Sequence, residues 1–273
     1  MPELPEVETI VRGLCPDLKG RIILAAEVDW PRTVATSSIE AFQQRIAGQS
    51  IKAVGRRGKY VTLQLASGDW LLIHLKMTGH LQMTPRDAAL DRYVRAVFHL
   101  DDGRQLVLRD PRKFGRLHLT DDPLTVLGDL GPEPLADDFT LAAFSAQLRS
   151  RRGRLKPLLL NQRFIAGLGN IYADEALFAA GLHPRRTADT LSDDEITALY
   201  HAIRRALRQA IENRGTTLSD GGYRDAQGEA GGNQAHIQVY GRTGKPCPRC
   251  GTSVQRIVLN GRSAHFCPQC QKL

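Results

Sequence analysis

Near the start of the chain the apolar side chains Val7, Ile10, Val11 and Leu14 recur at helical spacing, behind an early Pro5 and ahead of Gly20. That pattern predicts a helix over residues 5–18. From residue 21 to about 119 the period changes to short apolar runs punctuated by glycine, at 21–30, 51–54, 59–65, 70–75, 94–100, 105–109 and 116–119. These read as strands, with Ser67-Gly68-Asp69 and Asp101-Asp102-Gly103 as hairpin turns between them. So many strands at this spacing predict a β-sandwich or barrel-like domain.

Residues 121–138, with Gly131-Pro132-Glu133-Pro134, break the pattern and read as a linker. Beyond it the spacing becomes helical, over 140–150, 156–162 and 170–180, the last stopped by Gly181. A fourth helix opens on the capping box Ser192-Asp193-Asp194-Glu195, carries Ile196, Leu199, Ile203 and Leu207 on one face, and ends before Gly215. Its Arg204, Arg205 and Arg208 form a solvated face. Residues 221–232 are rich in glycine and polar side chains without periodicity, and are expected to be a mobile loop. The fold class is therefore α+β. The expected division is a domain over 1–120, a linker over 121–136, a helical domain over 137–235 and a terminal segment over 236–273.

A chain of 273 residues is long enough for two ordinary domains, and 42% hydrophobic with 24% charged residues describes a globular protein. The formal charge of +8 suggests a polyanionic partner, and its distribution sharpens the suggestion. After Glu229 there is no acidic residue, while Arg242, Lys245, Arg249, Arg256, Arg262 and Lys272 all follow. Such a single-signed block reads as an electrostatic footprint for phosphates. No apolar run has membrane-spanning length and the acidic start does not resemble a signal peptide, so a cytoplasmic location is expected.

Four of the five cysteines form Cys247-x2-Cys250-x16-Cys267-x2-Cys270. Two such knuckles suit one tetrahedral Zn2+ with every position filled by protein, hence a structural site; disulfides and an iron–sulfur centre are the less favoured alternatives. The residues between the knuckles would form a hairpin with Asn260-Gly261-Arg262 at its tip. Cys15 is left over and is expected to be a small buried apolar residue.

Three further stretches can carry chemistry. If Met1 is removed, Pro2 becomes a terminal secondary amine followed by the carboxylate of Glu3. An α-amino group has a reference pKa of about 7.7 to 8.0, so part of it is nucleophilic near neutrality, and a secondary amine that attacks a sugar carbon gives an iminium ion that serves as an electron sink. Against this, Pro-x-x-Pro is common in loops. Gly167-Leu168-Gly169-Asn170 opens a helix whose N-terminal N–H groups could hold a phosphate, with Lys156 nearby, although two helices joined by a glycine turn are more often plain packing. Asp110-Pro111-Arg112-Lys113-Phe114-Gly115 offers a cation and a ring that could fill the space left by an extruded base. Phe114 and Met77 could equally be core residues.

Taken together, Pro2-Glu3-Leu4-Pro5-Glu6-Val7-Glu8-Thr9, Lys59-Tyr60, the turn from His74 to Gly79, Asp110 to Gly115, Gly169-Asn170-Ile171-Tyr172-Ala173 and the four-cysteine ribbon resemble the bacterial formamidopyrimidine-DNA glycosylases. The resemblance runs over essentially the whole chain. It implies a β-sandwich with a catalytic N-terminal helix, followed by a helix-two-turn-helix domain and a zinc ribbon. It also implies a monomeric base-excision enzyme acting on damaged double-stranded DNA, with one structural Zn2+ and no catalytic cofactor. Pro2 would be the nucleophile and Glu3 a proton donor, with Lys59 and Arg262 serving β- and δ-elimination. Met77, Arg112 and Phe114 would fill the void, His74, Lys156 and Asn170 would clamp phosphates, and Arg151 would add a DNA contact. Tyr93 stands where the family often has histidine and would take that DNA contact. The loop over 221–232 would close on the flipped purine. An enzyme of the related endonuclease VIII type and a non-enzymatic zinc-ribbon DNA-binding protein are the rival readings.

Overall fold

The computed structural model describes residues 2–219 and 221–273. Its chain divides into two compact units, one made of Met1–Asp129 with Asn213–Gln234, the other of Leu130–Glu212 with Ala235–Leu273.

The first unit opens with helix α1, Leu4–Leu18, where Glu3 is the N-cap and Pro5 lies in the first turn, the position that tolerates a missing N–H. Glu3 and Glu6 form a reciprocal capping box. Eight antiparallel strands follow: β1 Ile22–Val28, β2 Gln49–Arg57, β3 Tyr60–Leu65, β4 Trp70–His74, β5 His80–Pro85, β6 Val94–Leu100, β7 Arg104–Arg109 and β8 Arg116–Thr120. Their order is β5-β7-β6-β1-β2-β3-β4-β8. Strands β1 and β2 pair only through Ile22 with Ser50 and Ile23 with Gln49, which leaves two four-stranded halves joined by a short seam. Both halves contribute to one core: Phe98, Leu106 and Leu108 from one, Val61, Leu63, Ile73 and Leu117 from the other, with Ile10 and Leu14 of α1 among them. This is the expected sandwich.

Two elements of this unit carry too weak a period to show in the sequence. Helix α2, Ile39–Ile46, buries only Phe42 and Ile46, and its start is set by Ser38, whose hydroxyl accepts from Ala41 N at 3.2 Å. Strand β5 buries Leu81 and packs Met83 on the core, but the polar residues around them and its closing Pro85 hide the alternation.

A short helix, α3 (Leu124–Leu127), lies just before the division between the units. In the second unit helices α4 (Leu141–Arg149), α5 (Leu155–Leu160), α6 (Asn170–Ala179) and α7 (Asp193–Glu212) match the expected segments within about two residues at each end. The capping box of α7 is formed, with Ser192 N donating to Glu195 Oε2 at 2.9 Å and Glu195 N to Ser192 Oγ at 3.2 Å. Helix α6 is buried almost all round, through Ile171, Tyr172, Ala173, Asp174, Ala176, Leu177 and Phe178. It is the centre of this unit. A two-stranded ribbon, β9 Gln255–Leu259 and β10 Arg262–Phe266, closes the chain.

The segment Asn213–Gln234, expected with the helical domain, belongs to the first unit. Nor does its irregular loop lie loose there. Tyr223, Asp225 and Ala226 are buried, the Tyr223 hydroxyl donates to Arg214 O at 3.1 Å, and Asp225 accepts from Gln227 N, Glu229 N and the Arg214 guanidinium. Ala226 and Gln227 lie so close over α1 that a Cβ on Gly13 would meet both at 3.0 Å. Glu6 completes the join: its carboxylate accepts from Glu3 N and from Thr216 N, each at 2.8 Å. Removing the acceptor of two buried backbone donors should cost about 3 kcal/mol. Glu6→Ala is therefore expected to lower the urea midpoint and to open the 213–234 segment to limited proteolysis, with the first cuts falling there.

Candidate functional site

In the first unit the start of α1 is built inward. Pro2 and Glu3 are both buried, and the capping box fixes the backbone that carries them. Met1 lies outside the described residues. Lys59 occupies the two-residue turn between β2 and β3, made possible by Gly58 at φ +55°, and is largely buried. Arg56 ties this hairpin to α1, donating from Nε to Glu8 Oε2 at 2.9 Å and from Nη1 to Gly58 O at 3.1 Å. Burial pushes the Glu8 carboxyl up, but Arg56 and Arg12 outweigh it and hold the group below the usual carboxylate range.

His74 ends β4, its ring edge-on to Tyr60 with centroids 4.6 Å apart. Burial first, then the charges of Lys76, Lys59 and His118, push its pKa down to about 3. The imidazole is thus neutral near pH 7. Its Nδ1 accepts from Lys76 N at 2.9 Å, so the remaining proton sits on Nε2, and that nitrogen is a donor. The following turn is tight: Gly79 N donates to Leu75 O at 2.9 Å, and any Cβ on Gly79 would come within 2.4 Å of the same oxygen.

Met77, Arg112 and Phe114 meet on the surface. Arg112 lies over the Phe114 ring at 4.9 Å and its Nη1 is 3.3 Å from Met77 Sδ, while Met77 is 37% and Phe114 44% exposed. Neither apolar residue belongs to the core. Their loop is held from within by Asp110, a buried carboxylate that accepts from Thr78 Oγ1 at 2.5 Å, Arg112 N at 3.2 Å and Gly115 N at 2.7 Å. From outside, Arg116 Nη1 reaches the carbonyls of Lys113, Phe114 and Gly115. Tyr93 abuts the same loop, its carbonyl accepting from Asp110 N at 2.8 Å, and the guanidinium groups of Arg92 and Arg109 lie 5.0 and 4.9 Å from its ring centroid. The Tyr93 hydroxyl accepts from Arg92 Nη2 at 2.8 Å. A cavity of about 520 Å³ opens nearby, lined by Thr78, His80, Arg109, Gly221, Gly222 and Arg224.

In the second unit Asn170 is the first residue of α6, after the N-cap Gly169. Its side-chain Nδ2 donates to Ser263 Oγ of β10 at 3.2 Å. Arg262 begins β10 beside the tip formed by Asn260 and Gly261, at φ +47° and +73°, and is exposed. Asn170 and Arg262 are therefore joined through adjacent residues. Lys156, expected as a phosphate clamp, is engaged inside the unit. It is 0% exposed, and its ammonium donates to Asp174, to Asn170 O at 3.3 Å and to Ser263 O at 2.9 Å. The reason is Asp174, one turn into α6, which gives the cation a buried partner. Arg151 is exposed just after α4.

The four ribbon cysteines bring their Sγ atoms within 4.8 Å of one another, with Cys247–Cys270 at 3.9 Å and Cys250–Cys267 at 3.4 Å. Tetrahedral thiolates about 2.3 Å from Zn2+ would stand about 3.8 Å apart. The set fits one structural zinc, and no described cysteine is in a disulfide. Cys15 is half-buried rather than buried.

Three family models match in chain order: the formamidopyrimidine-DNA glycosylase N-terminal domain over residues 1–117, the formamidopyrimidine-DNA glycosylase H2TH domain over 130–221, and a zinc finger found in FPG and IleRS over 244–273. The chain belongs to the formamidopyrimidine-DNA glycosylase family. A formamidopyrimidine-DNA glycosylase of Chloroflexus aggregans is 51% identical over 276 residues, covering 100% of this chain and 99% of its own. That of Herpetosiphon aurantiacus is 49% identical, covering 99% and 100%. Among solved structures, a Lactococcus lactis FPG variant in complex with a Fapy-dG containing DNA superposes with a TM-score of 0.93 at 36% identity over 100% of both chains. The MutM (FPG) protein of Thermus thermophilus gives 0.90 at 43% identity over 99% of this chain and 98% of that one.

Within this glycosylase fold, two acids lie inside the recognised motifs, but their bonding roles have no signature in the sequence. Asp110 and Glu8 look like ordinary surface acids until Thr78, Arg56 and the loop N–H groups are placed around them. Two measurements check the geometry. Cys267→Ser, or an excess of chelator, should release one zinc per chain and unfold residues 244–273 while leaving the sandwich's β signal in place. The folded protein keeps His74 neutral down to about pH 3, whereas an unfolded chain takes up that proton near the ordinary value of 6.5, so stability falls as pH drops through that window. His74→Phe should flatten the acid-side slope of urea stability between these limits.

Proposed function

We propose that this chain is a bifunctional DNA glycosylase and abasic-site lyase of base excision repair, which removes oxidised purines such as 8-oxoguanine and formamidopyrimidines from double-stranded DNA. The observation that carries the reading is the buried Pro2-Glu3 pair locked at the start of α1, in the unit that also presents the exposed cluster of Met77, Arg112 and Phe114. A nucleophile alone could serve many substrates; joined to a void-filling cluster it calls for a base taken out of a duplex. Related proteins captured with Fapy-dG, abasic-site and carbocyclic 8-oxo-G DNA support the same substrate class.

With Met1 removed, the Pro2 nitrogen lone pair forms a bond to C1′ as the bond from C1′ to the base breaks, and the departing electrons are met by a proton on the base side. Glu3 supplies or relays protons as the sugar ring opens. The resulting iminium ion lets a base take a proton from C2′ while the C3′–O bond breaks and the 3′-phosphate leaves; loss of a proton from C4′ then breaks the C5′–O bond and releases the 5′-phosphate, and water finally frees Pro2 from the sugar remnant. Lys59 serves the first elimination and Arg262 the second. The neutral Nε2–H donor of His74, the Asn170 amide and Arg262 hold phosphates, Tyr93 and Arg151 add DNA contacts, and Arg112 faces the orphaned base. No catalytic cofactor enters this sequence; the ribbon zinc shapes the strand that carries Arg262. The enzyme acts as a monomer in the cytoplasm, and no described helix is long and apolar enough to cross a membrane.

Borohydride is expected to trap a covalent adduct with an 8-oxoguanine duplex and with an abasic duplex. The same protein extended by one residue before Pro2 should bind both duplexes with unchanged affinity and give no adduct. Trapping by the extended protein would overturn the assignment of the nucleophile, and failure of the unextended, correctly processed protein to excise would overturn the glycosylase reading.

A further inference from the structure

Lys113 sits between Arg112 and Phe114 but does not join them. Its backbone is left-handed, at φ +59°, a conformation that costs a residue with a Cβ free energy and is uncommon without support from its surroundings. That reversal sends its neighbours to one side, where Arg112 stacks on Phe114, and leaves the Lys113 ammonium 4.1 Å from the centroid of the Trp30 ring. The backbone that carries the ring is anchored. Trp30 caps a 3-10 turn over Pro31–Thr33, Thr33 is fully buried, Val34 bridges to Leu117, and Ala35 N donates to Leu117 O at 2.9 Å. Leu117 belongs to β8, the strand that leaves the loop. That backbone is thus tied to the strand on which the loop ends.

We infer that Trp30 is a positioning residue for the duplex-invading loop: by holding the Lys113 ammonium over its face, it locks the reversed backbone that presents Arg112 and Phe114 together. The inference rests on the reading of that cluster as the void-filling wedge. It assigns no contact with the reacting atoms to Trp30. A cation over an indole face is the strongest of the aromatic pairings, and one at a partly exposed site is of a size to shift a loop population about two- to tenfold.

The test uses the full-length protein and four variants: Trp30→Ala, Trp30→Phe, Lys113→Met and the Trp30→Ala/Lys113→Met pair. Wedge insertion is read without chemistry, from 2-aminopurine emission beside an 8-oxoguanine in a duplex; excision of 8-oxoguanine and strand cleavage at a ready-made abasic site are measured in parallel. The expected result is a loss of about two- to tenfold in both emission rise and excision rate in each alanine or methionine variant. The pair should be no worse than either single change, Trp30→Phe should recover part of the loss, and cleavage of the abasic duplex, which has no base to extrude, should stay within about twofold of the parent. Multiplying effects in the pair would show that Lys113 acts independently, on a phosphate for example, and would overturn the inference. So would single variants indistinguishable from the parent, equal losses on the abasic duplex, or no emission rise in the parent. An emission rise that depends on Trp30 in a protein that excises nothing would leave the inference standing and remove the glycosylase reading instead.

Discussion

One carboxylate fixes the working end of the first unit. Glu6, buried in the first turn of α1, accepts from Glu3 N and Thr216 N, and so joins the first residues of the chain to a segment 210 positions away. Had Glu6 been apolar, both N–H groups would be buried without this acceptor, a penalty of about 1 to 3 kcal/mol each. The carboxylate therefore selects one position for the N-terminal backbone. On the reading that Pro2 is the nucleophile, orientation matters there, because a nucleophile contributes through proximity only when its geometry is already set. The same bond returns Asn213–Gln234 to the sandwich after the helical unit has been traversed, and the loop that follows is anchored by Asp225 and Tyr223.

The second unit uses the same device with more charge. Asp174 accepts from Lys156, from His265 N at 2.9 Å and from His265 Nδ1 at 3.0 Å, and adjacent Glu175 accepts from the backbone of Gln238, Val239 and Tyr240. Two neighbouring acids on α6 thus hold both the approach to the ribbon and its second strand. Burial of an ion pair is not by itself stabilising, since desolvation offsets much of the attraction, but removing one partner leaves a charge that costs about 3 to 5 kcal/mol. Specific geometry is what such a pair contributes. Zinc organises the knuckles, while Asp174 and Glu175 decide where the ribbon sits on the helix.

Periodicity exposes most of the helices and strands, which bury residues at regular spacing, and the paired cysteines expose the ribbon. It cannot show α2, which buries two side chains, nor the return of Asn213–Gln234, because long-range polar bonds leave no period. The chemistry divides in the same way. The four cysteines are legible because their spacing is distinctive, whereas Pro2 and Glu3 stand out only when they are joined to the distant stretches that carry the resemblance. Phe114 and Met77 stay ambiguous between core and surface until exposure decides it. Lys156 shows what the sequence hides. A lysine before a helix N-terminus looks like an anion ligand, and only the distance in space to Asp174 reveals a buried strut.

The energetics of the exposed cluster explain why so many bonds surround so short a loop. Taking a base out of a stack costs a few kcal/mol, and a ring or guanidinium that replaces its stacking recovers about 1 to 3 kcal/mol. Ordering a flexible residue costs about 1 to 2 kcal/mol, so a loop running from Asp110 to Gly115 that became ordered only on DNA would lose more than the wedge returns. Asp110 from within and Arg116 across the carbonyls already hold the loop, and Trp30 lies against Lys113, the contact to which we assign the same effect. In the reading we propose, the ordering free energy is then met when the chain folds, and the stacking energy of Phe114 and Arg112 is left to act on the duplex.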